Sequence, residues 1–172
     1  MNNNKLFADG KEETSKAYAI IENIIILAGI ALGYIIMAPI TTANGIPALS
    51  ILYTVFVLSM LGIVLRKHVC THCYYYGKWC HCGWGKIASM FQKESGNYTL
   101  GIKLAMISWL FFFFAPIASF ILILIMGWAP AAYELTCFIP FAILMGANLV
   151  MHKKDCSECK MRFICPASVS KK

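Results

Sequence analysis

The sequence predicts an all-α integral membrane fold: four transmembrane helices in an antiparallel, up-and-down bundle, with a cysteine-rich loop, a cysteine-rich C-terminal tail and a short interfacial helix on one side. Three observations predict it. Apolar residues make up 59% of the 172 positions and charged residues 13%, whereas soluble domains carry about 45–50% and about 25%. A chain this short cannot hide so much apolar surface in its own interior. Four apolar runs have the length of about 20 residues that a hydrocarbon core about 30 Å thick requires. Finally, every Lys and Arg lies outside those runs and on the same set of alternate links.

Residues 1–18 form a polar N-terminus with Asp9, Glu12 and Glu13. No small-residue cleavage pattern closes the first apolar run, so that run is expected to remain as a helix rather than be removed as a secretory signal. The transmembrane domain is predicted over residues 19–151. Its first span covers about 19–40 and is led in by Glu22 and Asn23. The second, about 46–65, has no charge at all. Thr41 to Gly45 links them, flanked by Pro39 and Pro47. The third span, about 104–128, contains Phe111 to Phe114 and an internal Pro116, where a kink is expected. Gly127 to Pro130 leads into the fourth span, about 131–151, which carries Glu134 close to its outer end. That position reads as an interfacial glutamate within reach of water. Links this short make consecutive helices antiparallel neighbours. Small-xxx-small pairs at Gly29/Gly33 and Ala142/Gly146 permit close backbone approach.

Between the second and third spans lies the loop 66–103. Ile87, Met90 and Phe91 share a helical face opposite Lys86, Gln92, Lys93 and Glu94, and Gly96 and Asn97 follow as a stop. The expectation is a short helix over Lys86–Ser95, lying on the membrane surface.

Lys and Arg number three before the first span, six in the loop and six in the tail, residues 152–172. The outer links have none. The positive-inside rule places both termini and the loop in the cytoplasm, in a multi-pass protein of the cell membrane. Aromatic residues agree: Trp79, Trp84, Tyr98 and Trp109 group near the inner interface, and Tyr53, Trp128 and Tyr133 near the outer one. The net charge of +7 follows from this bias, and no nucleic-acid-binding motif accompanies it. The expected partners are the lipid bilayer and a cytoplasmic or membrane protein, with no nucleic acid.

The chemistry sits in the cysteines. Of eight, Cys137 stands alone in the fourth span and reads as a small packing residue. The other seven fall in two groups: Cys70, Cys73, Cys80 and Cys82 in the loop, and Cys156, Cys159 and Cys165 in the tail. All four histidines lie in or beside these groups, among them His72 and His81. A C-x-x-C turn, as at Cys70/Cys73 and Cys156/Cys159, can point two thiolates at one ion, about 2.3 Å away for zinc. Nearby Lys67, Lys78, Lys86, Lys160 and Arg162 favour the thiolate form. In a reducing cytoplasm such thiols bind metal more readily than they form disulfides. The candidate ligands are therefore Cys70, Cys73, Cys80, Cys82, Cys156, Cys159 and Cys165, with His72 and His81. Two divisions are open. One ion could take the four loop cysteines and another the tail cysteines with a histidine, or pairs from both groups could share a single centre.

Zinc is the first expectation. The run Cys156-x2-Cys159-x5-Cys165-Pro166 resembles in part the cysteine runs that hold iron–sulfur clusters, down to the Cys-Pro ending of ferredoxins. It departs from them in lacking a fourth downstream cysteine and in its x5 gap, and it places the chain in no family. Haem b is excluded as an expectation because no histidine lies within a span. No G-x-G-x-x-G, Walker or H-E-x-x-H motif appears, and no catalytic residue stands out. The functional expectation is a structural zinc site that serves as a scaffold or partner-binding module, with Tyr74, Tyr75, Tyr76 and Trp79 as its aromatic recognition surface. The alternative is iron–sulfur or thiol-based electron transfer in the membrane. Transport of a soft metal ion ranks third, because the spans offer no paired-cysteine path.

Overall fold

The computed structural model describes residues 7–42, 44–165 and 168–170, and among them all regular structure is helical. The elements are α1 (Lys16–Met37), α2 (Ala48–Ser59), α3 (Leu65–His68), α4 (Trp84–Ala88), α5 (Tyr98–Met126) and α6 (Ala131–Glu158). A π-helical turn, Met60–Val64, joins α2 to α3, and a 3₁₀ turn, Cys70–His72, follows α3. Four helical stretches are long and apolar enough to cross a membrane: Lys16–Met37, Ala48–His72, Tyr98–Met126 and Ala131–Glu158. At most 39% of each apolar window is buried inside the chain. The remaining apolar surface, including Leu52, Val55, Phe114, Ile125 and Ile143, is suited to lipid rather than water.

Local sequence accounts for the helix ends. Ser15 Oγ accepts from the Tyr18 backbone N–H at 3.3 Å and starts α1. Asn97 Oδ1 accepts from Leu100 N–H at 3.0 Å and starts α5. Gly127, at φ 63°, ends α5 in the left-handed conformation, and Pro130 precedes α6. The π turn carries Arg66 Nε to the Leu61 carbonyl at 3.2 Å. One extra residue in a turn rotates every later side chain by about 100°, so this turn sets where Cys70 and Cys73 face.

Helix α1 packs against α2, α5 and α6. Its Gly29 faces Met145 and Phe112, and its Gly33 lies under the Tyr53 ring. The first small-residue pair thus serves close packing, whereas a Cβ on Gly146 would meet nothing within 4 Å. Tyr53, Phe112 and Phe141, each at most 1% exposed, fill the centre. Pro116 lies inside α5 as expected, and α6 contains a second internal proline, Pro140. Glu134 is fully buried and neither of its oxygens has a hydrogen-bond partner. Glu134 thus stands in the first turn of α6, at its expected end, but not within reach of water as expected.

Two helices run further than hydropathy suggested. α5 starts at Tyr98, before the apolar run, and α6 continues to Glu158, through His152 and Cys156. The loop helix is shorter than expected: only Trp84–Ala88 is helical, and the following residues are turns with Met90 exposed. The N-terminal arm, the loop and the tail meet at one end of the helices. Ala8 N–H donates to Lys160 O at 2.9 Å, Lys11 N–H to Glu158 O at 3.0 Å and Thr14 N–H to Trp79 O at 2.8 Å.

Candidate metal centre

The cap formed by these three segments sorts its sulfurs into two groups. The first contains Cys73 and Cys80 from the loop and Cys159 and Cys165 from the tail. Burial pushes the Cys73 thiol up to about 12, and Cys80, Cys159 and Cys165 add to the rise, while the Tyr75 backbone N–H opposes it. Cys70 adjoins the same set through Cys80, Cys73 and Cys165, with the Arg66 guanidinium nearby.

Backbone amides are aimed at these sulfurs. Gly85 N–H donates to Cys80 Sγ at 3.3 Å and Met161 N–H to Cys159 Sγ at 3.4 Å. Burial raises the Cys80 thiol, and the N–H groups of Gly85, Trp84 and Cys82 act against that rise. Burial likewise raises Cys159, opposed by Met161 N–H. Amides pointing at sulfur stabilise a thiolate, and low-dielectric burial disfavours it. A cation held there would reconcile the two by supplying positive charge to the sulfurs.

The second group is Glu22 of α1 with His81 and Cys82 of the loop. Their donor atoms all lie within 4.8 Å of one another, the one such trio among the described residues. Cys82 Sγ donates to Glu22 Oε1 at 3.2 Å. His81 Nε2 is 4.0 Å from the same oxygen. His152 of α6 adjoins them, its ring 5.8 Å from that of His81, with Nε2 3.6 Å from Cys156 Sγ. Burial lowers His81 to about 4, and His152 adds to the drop, so the ring is a neutral imidazole with a lone pair to offer.

Comparison with protein-family models, with curated proteins and with solved structures returned no match.

Among the expected ligands, Cys82 stands beside His81 and Glu22 while staying close to Cys80 and Cys70, and Cys156 stands beside His152. The reason for the tail is the extension of α6. Cys156 stands on the last helical turn one turn beyond His152, whereas Cys159 is the C-cap residue in extended conformation. His72 lies elsewhere, with its ring 5.6 Å from that of Tyr98 and Nδ1 3.2 Å from Thr71 Oγ1. Two residues were missed from the sequence. Glu22 read as the lead-in of a span, although a carboxylate within a span is itself a functional signal. His152 read as a residue beside the tail rather than as a member of a helical pair.

The aromatic residues of the loop bind within the cap. Tyr75 Oη donates to Lys11 O at 2.7 Å and accepts from Lys160 N–H at 3.2 Å, so one hydroxyl ties arm, loop and tail. Tyr76 Oη donates to Phe91 O at 2.7 Å, and Tyr74 packs on Phe7 and bonds Glu12. The Trp79 ring lies under Lys16. Tyr75 is buried by these bonds, while Tyr74, Tyr76 and Trp79 stay half-exposed.

Proposed function

We propose that this chain is a membrane-anchored metalloprotein whose cap holds a thiolate-ligated centre at the cytoplasmic face of an antiparallel four-helix bundle. The observation that carries the reading is the docking of the cysteine-bearing loop on the cysteine-bearing tail, where Tyr75 Oη accepts from Lys160 N–H at 3.2 Å beside Cys73 and Cys159. Cys73 and Cys80 lie on the middle loop and Cys159 and Cys165 on the tail, and the proposed centre is the division in which pairs from both segments share one site. The distribution of Lys and Arg supports a cytoplasmic, reducing location.

The partial likeness of the run Cys156-x2-Cys159-x5-Cys165-Pro166 to the cysteine runs of iron–sulfur proteins favours a cluster over a single zinc ion. The amides of Gly85 and Met161 suit the role, since hydrogen bonds to sulfur help set cluster potential. When bound, such a cluster supplies one-electron transfer at the membrane face. The protein's part is to ligate, to exclude water and to clamp the arm, loop and tail. Zinc in the same thiols would make the cap a clasp and scaffold, the role the sequence suggested first.

Anaerobic purification with analysis of iron, sulfide and zinc tests the reading. Iron and sulfide in stoichiometric amounts with broad visible absorbance are expected, and Cys73→Ser and Cys159→Ser should each abolish the whole signal. Zinc alone would convert the reading to the clasp. A chain with neither metal after reconstitution, or a centre that survives Cys159→Ser, would overturn it.

A further inference from the structure

We infer that Glu22, His81 and Cys82, with His152 beside them, form a second site, next to the thiol centre, for one divalent cation of borderline softness, of the zinc or ferrous class. The site borders the thiol centre, with Cys82 two residues beyond Cys80, and differs from it in chemistry. Its donors are a carboxylate oxygen, an imidazole nitrogen and a sulfur, a mixed set that suits such ions rather than a wholly soft one.

The first observation is the carboxylate. Glu22 is 2% exposed, on a helix that is otherwise apolar along most of its length. Its Oε1 holds Cys82, but its Oε2 is buried with no hydrogen-bond partner. An ionised carboxylate in that setting requires a compensating charge. The second observation is independent: the trio lies within 4.8 Å, compatible with one ion at ordinary bond lengths of about 2.0–2.3 Å. A dication with one carboxylate, one thiolate and neutral imidazole gives a site of zero net charge. Binding releases the Cys82 thiol proton to solvent as the metal–sulfur bond forms, so charge and atoms balance.

The supports and the entry path fit this assignment. Asn23, next to Glu22, donates from Nδ2 to Cys82 O at 2.8 Å and accepts from Trp84 Nε1 at 3.1 Å. That pair of bonds fixes the Cys82 backbone against α1 and holds its sulfur in front of the carboxylate. A cleft of about 260 Å³ opens on His81; its wall is mixed in charge, with Glu13, Asp155 and Glu158 beside Lys11 and Lys154.

The test uses the full chain in detergent, stripped by chelator under thiol reductant and titrated with Co²⁺ alone. Cys73→Ser/Cys159→Ser removes the thiol centre, so failure of that centre and failure of this site read differently. In that background one equivalent of Co²⁺ is expected, with tetrahedral ligand-field bands and thiolate charge transfer. Adding Glu22→Gln or His81→Asn should weaken binding at least about 100-fold. Absence of Co²⁺ binding in the double variant, or binding indifferent to both added substitutions, overturns the site. Should the variants lose helical circular dichroism, X-ray absorption of the zinc-loaded wild-type chain decides instead. Imidazole and oxygen scatterers with sulfur are expected, and an all-sulfur shell overturns the site.

Discussion

The Tyr53 hydroxyl donates to the Phe112 carbonyl oxygen at 3.3 Å in the centre of the helices. That carbonyl is the one Pro116 leaves open, because proline has no N–H to return to the residue four before it. Gly33 makes the bond possible: a Cβ there would stand 2.6 Å from Tyr53 Oη. Tyr53→Phe is expected to cost about 1–3 kcal/mol by stranding a buried acceptor. Pro116→Ala should recover part of the loss, since the substituted residue brings a backbone N–H that can donate to the Phe112 carbonyl. Thermal unfolding of the two single variants and the double variant checks this. Strict additivity would count against the link.

Two glycine substitutions should have opposite outcomes. A Cβ on Gly85 would lie 2.1 Å from Tyr75 O and 2.8 Å from Lys78 O, both backbone atoms that cannot yield cheaply. Gly85 also donates to Cys80 Sγ. Gly85→Ala is therefore expected to open the loop and empty the thiol centre, measured as bound metal per chain. Gly146 lies mid-helix with open space around it. Gly146→Ala is expected to leave metal content unchanged and to raise stability by up to about 1 kcal/mol.

The N-terminal arm should be released by acid. Lys160 first, then Tyr74, hold the Glu12 carboxyl down at about 2 from 4.5. Because the folded value is depressed, the contribution of this contact is complete above about 4.5 and disappears as pH falls through about 2. Glu12 is solvent-exposed, so salt screens the same contact. Hydrogen exchange of the arm amides, Ala8 and Lys11 among them, should accelerate over that window and with added salt. Glu12→Gln should show fast exchange at neutral pH and little further change. An arm equally protected in Glu12→Gln would contradict this.

Glu134 offers a third stability test. Both its oxygens are buried without partners, and a polar group left so costs about 1–3 kcal/mol on protein mutational scales. Glu134→Met keeps much of the volume and is expected to raise the thermal midpoint in detergent. A drop would reveal a partner for that carboxylate.

Hydropathy and charge were enough to determine the four membrane-length helices and the gathering of basic and sulfur-rich segments outside them, because both are sums over local sequence and lipid solvation depends on little else. Pro116 falls inside α5, within the span sequence placed it in, whereas Gly127 ends that helix slightly before the expected boundary near 128. The sorting of the ligands was not local. Whether Cys156 pairs with Cys159 or with His152 depends on how far α6 continues past its apolar run, and helical geometry then separates two thiols that share a C-x-x-C spacing. Whether Glu22 is a lead-in or a ligand depends on which loop residues dock on α1, which Asn23 and Trp84 decide by a hydrogen bond across 61 positions of sequence. Contacts of that range carry no periodicity for a sequence to display. Only the packed chain brings a carboxylate, an imidazole and a thiol within bonding reach of one ion.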